Sequence, residues 1–433
     1  MIKDIITFIF AACILSAQAQ TDGTFCGTLK AGTAAIPLRL NITVHGCSLD
    51  SPNQGAYGIE LDTDTLAIDT IAVSSKILDA NYRAKIEQDT IDGIFTQRGL
   101  SFPLIMIRQT ENIHRPQTPK PPYPYSTIDT VFYNEEAGIK LAGTLFIPEQ
   151  EVIATAVLVS GSGAQNRDEE IFDHKPFLVL ADRLARNGIA TLRYDDRGFG
   201  LSEGNFATAT TFDFASDAQA AIDFAKTLNL GPTGIIGHSE GGSIAFIVSS
   251  SKPVDFIVSM AGAILPGKEI LLAQNRHSLE KSGLSEDIVE NILILLDSVF
   301  DNIAMNREIS LKKIACQLNL DIPDTILESL RKNDMPTSPW YKNFIKLNTA
   351  RYISDVTCPV LAIGGDRDTQ IDAKANLEVL ERILPDVYTM IYSRLNHMFQ
   401  HCATGEIEEY SQIEETMAEE VIDEIISFIH NIL

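Results

Sequence analysis

Thr233-Gly-Ile-Ile-Gly-His-Ser-Glu-Gly-Gly-Ser243 decides how the rest of the chain is read. A short apolar run enters a G-x-S-x-G and leaves it into the small-residue start of a helix, the setting in which a serine sits on a sharp strand-to-helix turn. Gly237 and Gly241 flank Ser239, as a turn that crowds the backbone requires. The five-residue pattern alone is weak, since short motifs recur by chance. Its weight depends on whether the chain also supplies an acid, a histidine and an oxyanion hole in workable order.

Upstream and downstream of this stretch, apolar strand-like runs alternate with helical patterns. Strands are expected at Ile139–Ile147, Ala154–Ser160, Ala190–Tyr194, Gly234–Gly237, Phe256–Ala261, Val360–Gly364 and Val387–Tyr392. Helices are expected at Phe177–Asn187, Phe212–Leu228 and Gly241–Ser251. That rhythm predicts an α/β domain over 126–433 with a mostly parallel sheet covered on both faces. It stops at about 263–355, where Glu286–Phe300 is apolar at helical spacing. An insertion of that size exceeds an ordinary connection and reads as a helical cap over the strand ends. Trp340, Tyr341 and Phe344 close the cap, either lining a substrate pocket or anchoring the cap to the body.

Ahead of the α/β part, residues 20–115 alternate with period two, as in Ile36–Val44, which predicts a small β-rich accessory domain, a sheet or a barrel. Arg115-Pro-Gln-Thr-Pro-Lys-Pro-Pro-Tyr-Pro124 reads as an extended, semi-rigid linker, placed at 116–125. Residues 1–19 have the form of a signal peptide, with Lys3, an apolar core from Ile5 to Ile14, and an A-x-A at Ala17-Gln-Ala19. The apolar core is too short to span a bilayer. An exported protein, periplasmic or secreted, is expected, with no membrane span.

The 433 residues carry 34 basic and 58 acidic side chains, a formal charge of −24. That balance argues against nucleic acid as a partner. After Cys13 the cysteines are Cys26, Cys47, Cys316, Cys358 and Cys402, an odd number at irregular spacing and no disulfide framework. Cys26 and Cys47 share a domain, and their pairing stays open. No Cys or His spacing fits a zinc site, so neither a metal nor a cofactor is expected. The partner expected is a small molecule; the oligomeric state stays open.

A serine hydroxyl needs a positioned base, and the base an orienting carboxylate. In this architecture they follow in the order Ser, acid, His. The strand Pro359–Ile363 ends in Gly364-Gly-Asp-Arg-Asp-Thr-Gln-Ile371, where Asp368 and Asp366 compete; Asp368 is preferred and Asp366 is the fallback. His397 stands just past the next strand in Ser393-Arg-Leu-Asn-His-Met-Phe399, ahead of His401. His238 is expected to point away from Ser239. Two backbone N–H groups must meet the oxyanion. They are assigned to Glu240 and to Ser162 in Gly161-Ser-Gly-Ala164, with Gly163 as the other choice for the second.

With these residues in place, the chain resembles bacterial carboxylesterases of the α/β-hydrolase superfamily, in the serine aminopeptidase-like branch. The resemblance rests on Gly161-Ser-Gly-Ala-Gln-Asn-Arg-Asp-Glu169, His174-Lys-Pro-Phe177, Tyr194–Ser202, Gly237–Gly242, Gly365–Gln370 and Leu395–Phe399, in order over residues 161–399. It implies Ser239, Asp368 and His397 as a triad, a helical cap and ester hydrolysis. It departs at Ala164 and Asn166, where that family usually has Pro and Asp. Arg167 and Asp168 are expected to support the loop, and Asp196-Arg197-Gly198 to be structural. Three readings follow: an esterase acting through an acyl-serine, with polysaccharide deacetylation as a less favoured subclass; a serine peptidase; and a binding protein on a degenerate hydrolase body.

Overall fold

A computed structural model describes residues 23–31, 34–43, 46–51, 56–67, 70–109, 115–332 and 338–433. The signal segment, its cleavage site and Cys13 lie outside the described residues. The chain divides into two units, Met1–Ile113 and His114–Leu433.

The smaller unit is a closed antiparallel barrel of eight strands in sequence order. They are β1 (Gly23–Ala31), β2 (Ala34–Thr43), β3 (Gly46–Ser51), β4 (Ala56–Ala67), β5 (Thr70–Ser75), β6 (Ala80–Glu87), β7 (Thr90–Gln97) and β8 (Leu100–Arg108). β1 closes on β8 through Phe25 opposite Arg108. The period-two alternation of the sequence becomes an inside and an outside; in β6 every other residue from Ala80 to Ile86 is buried. Phe25, Leu40, Ile71, Ile91 and Met106 fill the interior with essentially no exposed surface, so the barrel is a packed core. Cys26 lies opposite Arg39, and Cys47 opposite Ile42. Arg39 and Ile42 are an odd number of residues apart on β2, so Cys26 and Cys47 face opposite sides of the wall. Cys47 points into the core, whereas the Cys26 thiol meets Gln109 outside it. Their pairing does not fit this register.

The larger unit is built on an eight-stranded sheet in the order β16-β15-β14-β13-β11-β12-β10-β9. Its strands are β9 (Tyr125–Asn134), β10 (Ile139–Pro148), β11 (Ala154–Val159), β12 (Ile189–Tyr194), β13 (Thr233–His238), β14 (Ile257–Met260), β15 (Val360–Gly365) and β16 (Tyr388–Tyr392). β10 runs antiparallel to both of its neighbours, β9 and β12, and every other pair in the sheet is parallel. β11, β12, β13 and β15 are buried at every position, which explains their unbroken apolar runs: both faces are covered. The helices are α1 (Pro176–Arg186), α2 (Thr211–Thr227), α3 (Glu240–Ser251), then α4 (Gly267–Lys281), α5 (Glu286–Ala304), α6 (Leu311–Gln317), α7 (Asp324–Lys332), α8 (Pro339–Phe344) and α9 (Ala350–Ile353) over the insertion. After them come α10 (Ala373–Ile383), α11 (Ile407–Tyr410) and α12 (Glu419–Ile432). In α5, Val289, Ile292, Leu295, Leu296, Val299 and Ile303 are buried, a stripe at helical spacing that fixes the insertion to the body. Each such side chain contributes about 1.5–3 kcal/mol on burial.

The Pro-rich stretch does not stand free. Arg115 donates to the carbonyls of Ile413, Phe172 and Ser411. The Gln117 amide donates to Met417 O at 2.7 Å and accepts from the N–H groups of Thr416 and Met417. It is bound along the larger unit by polar contacts that proline composition does not announce.

Candidate active site

The elbow follows β13. Ser239 has φ 53° and ψ −118°, a left-handed conformation costing on the order of 1–3 kcal/mol for a residue with a side chain. Its N–H is held by Met260 O at 2.8 Å, tying the turn to β14. A Cβ on Gly237 would stand 2.1 Å from Gly241 O, and one on Gly241 would stand 2.0 Å from Val159 O. The two glycines are therefore a steric necessity: the start of α3 lies directly against β13 and β11.

All four loops that matter leave the carboxyl ends of strands β11, β13, β15 and β16, where open parallel sheets place their crevices. After β15, Asp368 accepts the N–H groups of Gln370 and Ile371, each at 2.8 Å on Oδ1. Its Oδ2 faces His397 Nδ1 at 2.7 Å. Both side chains are buried, with 1% of the Asp368 and 5% of the His397 side chain exposed. Asp366 turns elsewhere, accepting from Ser393 Oγ and Arg394 N in an exposed turn. His401 is turned to Glu415 and Glu420. Ser239, His397, Ser162 and Glu240 line one cleft, which encloses about 830 Å³ with its open mouth included.

The loop after β11 is stapled to the end of β12. Arg167 pairs with Asp195 through Nε and Nη2, Asp168 pairs with Arg193, and Asp196 accepts from Ser160 Oγ and Gln165 N. Arg197 pairs with Asp217 at 2.6 Å, a buried brace that does not reach the cleft. Asn166 Oδ1 accepts the N–H groups of Asp168 and Glu170, so the amide caps this turn as a carboxylate would. Nothing in the structure explains Ala164.

Two carboxylates of the site escape a reading by spacing. Glu240 is 2% exposed, and its side chain is a hub of hydrogen bonds. Oε1 accepts from Thr211 Oγ1 at 2.6 Å and Trp340 Nε1 at 2.8 Å, and Oε2 from Ser162 Oγ at 2.8 Å and the same indole at 3.0 Å. One carboxylate thus joins the elbow, the β11 loop, α2 and the cap. Burial pushes it above the usual carboxylate range, against the pull of these donors. Glu169 accepts Gly161 N at 2.7 Å and meets His238 Nδ1 at 2.9 Å on the same oxygen. The partners in these two sets lie up to a hundred residues from the carboxylate that joins them. Trp340 and Phe344 line the cleft, stacked at 5.0 Å; Tyr341 packs edge-on against Phe300. The remaining wall is apolar, from Ile270, Leu271, Ile371 and Met398, with the amides of Gln165, Gln274 and Gln370. Among the described residues, no group of three or more His, Cys, Asp or Glu side chains is placed to hold a metal ion.

Sheet order, elbow and cleft together define an α/β hydrolase. The family described as serine aminopeptidase, S33, matches residues 175–401, more than half of the chain, and the chain belongs to it. It is 25% identical over 263 residues to the esterase EstD of Thermotoga maritima, a match covering 60% of this chain and 58% of that one. It is 26% identical over 141 residues to an acyl transferase of Shewanella woodyi, covering 32% and 44%. The chain thus spans about half the length of the curated relatives it matches. A Pyrococcus furiosus esterase structure aligns with a TM-score of 0.44 at 15% identity, over 75% of this chain and 99% of that one.

Proposed function

We propose that the protein is a serine esterase that hydrolyses carboxylic esters of small or short-acyl substrates through an acyl-serine. The observation that carries this is the buried Asp368–His397 pair opening on the same cleft as the strained Ser239. In this reading Ser239 Oγ attacks the ester carbonyl and His397 Nε2 takes its proton. Asp368 holds the tautomer with Nδ1–H bound and Nε2 free to accept. The tetrahedral oxyanion is met by the N–H groups of Glu240 and Ser162, each worth about 3–4 kcal/mol of barrier. Collapse expels the alcohol with the proton from His397, and water then repeats the sequence on the acyl-serine.

The peptidase reading needs a carboxylate available to a substrate ammonium. Among the described residues the cleft has two glutamates, and both are engaged, Glu240 by three donors and Glu169 by Gly161 N and His238. No Lys or Arg lines it among the described residues. These features favour uncharged esters whose acyl group lies against Ile270, Leu271, Phe344 and Met398. Export is proposed with this function, on the leader-like residues 1–19. The test is a chain-length series of p-nitrophenyl esters beside aminoacyl-p-nitroanilides. Turnover falling from acetate and butyrate to longer chains, with little amide cleavage, is expected. Amide turnover equal to ester turnover sinks the proposal.

A further inference from the structure

His238 precedes the elbow serine, is 5% exposed, and meets an acceptor at each ring nitrogen. Nδ1 lies 2.9 Å from Glu169 Oε1, an oxygen that already takes Gly161 N–H. Nε2 lies 3.0 Å from the main-chain carbonyl of His397. A carbonyl oxygen only accepts, so Nε2 carries a proton; a carboxylate oxygen already receiving one N–H also accepts, so Nδ1 carries another. A neutral imidazole has one N–H and satisfies one of these contacts.

We propose that His238 is a doubly protonated positioning residue whose two ring N–H groups register the loop of the Ser162 oxyanion donor against the loop of the general base. It rests on the esterase reading for the roles of those loops. Glu169 fixes Gly161, the residue before Ser162, and His238 joins that carboxylate to the peptide unit of His397. The His238 ring also packs on the His397 ring, centroids 4.8 Å apart. The distance from the Ser162 donor to the base is thereby set through one side chain rather than through the strands.

The charged groups around it act in a consistent direction. From the β11 loop it faces Glu169; from the β15 loop Asp368 acts on it; from the loop after β16 come the His397 ring and carbonyl; β13 brings no other titratable group. Burial favours the neutral ring, but Glu169, the His397 carbonyl and Asp368 outweigh it, so the proton is held above the ordinary histidine range. The bridge is therefore held together to higher pH than an ordinary histidine allows, and is lost as pH rises through the raised value. Loss of one proton leaves a ring nitrogen lone pair facing an oxygen.

The test is the pH profile of wild type and Glu169→Gln. The glutamine oxygen still accepts Gly161 N–H and a His238 N–H, but the negative charge that holds the second proton is gone. The alkaline limb of kcat is expected to move down by about one unit or more, with KM within about twofold. His238→Gln, which cannot bridge both acceptors, is expected to lower kcat at every pH. Fluorophosphonate labelling of Ser239 is followed over the same pH range, because it reads the site whatever its natural substrate. Nitrogen-15 histidine spectra of the intact chain are expected to show both His238 ring nitrogens protonated at pH 7. A Glu169→Gln profile parallel to wild type, or one bare His238 ring nitrogen at pH 7, overturns the proposal. If no ester is turned over but the labelling profile shifts, the esterase reading fails and this one stands. Should Glu169→Gln not fold, the wild-type spectrum decides.

Discussion

Asp368→Asn is the substitution in which the hydrogen bonds leave the side chain least choice. Asp368 Oδ1 is held by two backbone donors, Gln370 N and Ile371 N, both at 2.8 Å. An asparagine keeps its carbonyl oxygen there, because the reverse orientation sets its NH2 against both donors. Its NH2 group then faces His397 Nδ1, where Oδ2 now lies at 2.7 Å. Two donors cannot share that contact, so His397 takes the tautomer with Nε2–H, and the nitrogen toward the cleft no longer accepts the Ser239 proton. An acid-to-amide change that selects the wrong tautomer lowers kcat by about ten-thousand-fold, or about 5.4 kcal/mol of barrier. Asp366→Asn is the control, since Asp366 braces only the exposed Ser393–Arg394 turn; kcat within about threefold and a stability loss of about 1 kcal/mol are expected. The assay is p-nitrophenyl butyrate hydrolysis at pH 7.5 with circular dichroism confirming the fold. Asp368→Asn within tenfold of wild type, or Asp366→Asn the more damaged of the two, refutes the assignment.

Other expectations follow from single contacts. Ser239→Ala abolishes turnover and keeps the fold, while Ser239→Gly, freed of the φ 53° strain, is the more stable of the pair by about 1 kcal/mol in urea; equal midpoints remove the strain argument. Trp340→Phe preserves the stack on Phe344 but takes a donor from the buried Glu240 carboxylate, so stability falls by about 2 kcal/mol and KM rises; an unchanged midpoint by circular dichroism refutes it. Burial and then the Arg115 charge depress His174 to about 4, so the neutral ring is the folded form. Its contribution, up to about 3 kcal/mol, is present above pH 6.5 and is lost as pH falls toward 4. His174→Gln flattens that part of the stability profile, and a curve superimposable on wild type contradicts it.

What the sequence declares and what it conceals divide along a physical line. Residues whose identity is imposed by backbone geometry are legible: Gly237 and Gly241 because a Cβ would meet backbone oxygens, and the strands β11, β13 and β15 because burial on both faces leaves unbroken apolar runs. The choice of Asp368 over Asp366 rests on reach into the loop, and the hydrogen bonds separate the two acids completely. The β-rich opening is legible as alternation, though closure into a barrel requires the β1–β8 pairing, which no local pattern encodes. β9 is harder to see, because an edge strand exposing Ile128 and Val131 has no clean two-sided alternation. α12 hides behind its charge: Glu419, Glu420, Asp423 and Glu424 suggest an acidic tail, while Val421, Ile422, Ile425, Ile426 and Ile429 form one buried face. The Glu240 and Glu169 side-chain networks are the least legible, since each joins residues that only the finished sheet brings together.

Arg115 and Gln117 bear on how the protein is divided in the laboratory. Counting prolines puts the cut near residue 125, at the first strand of the larger unit. Such a cut strips six main-chain groups of their partners at once: the carbonyls of Ile413, Phe172, Ser411 and Met417, and the amides of Thr416 and Met417. They belong to the approach to α12 and to the turn beside His174, so the damage falls on the support of the His397 loop. A hydrolase fragment expressed alone must begin at or before Arg115, because the piece that reads as a tether is the strap that fastens the last helix.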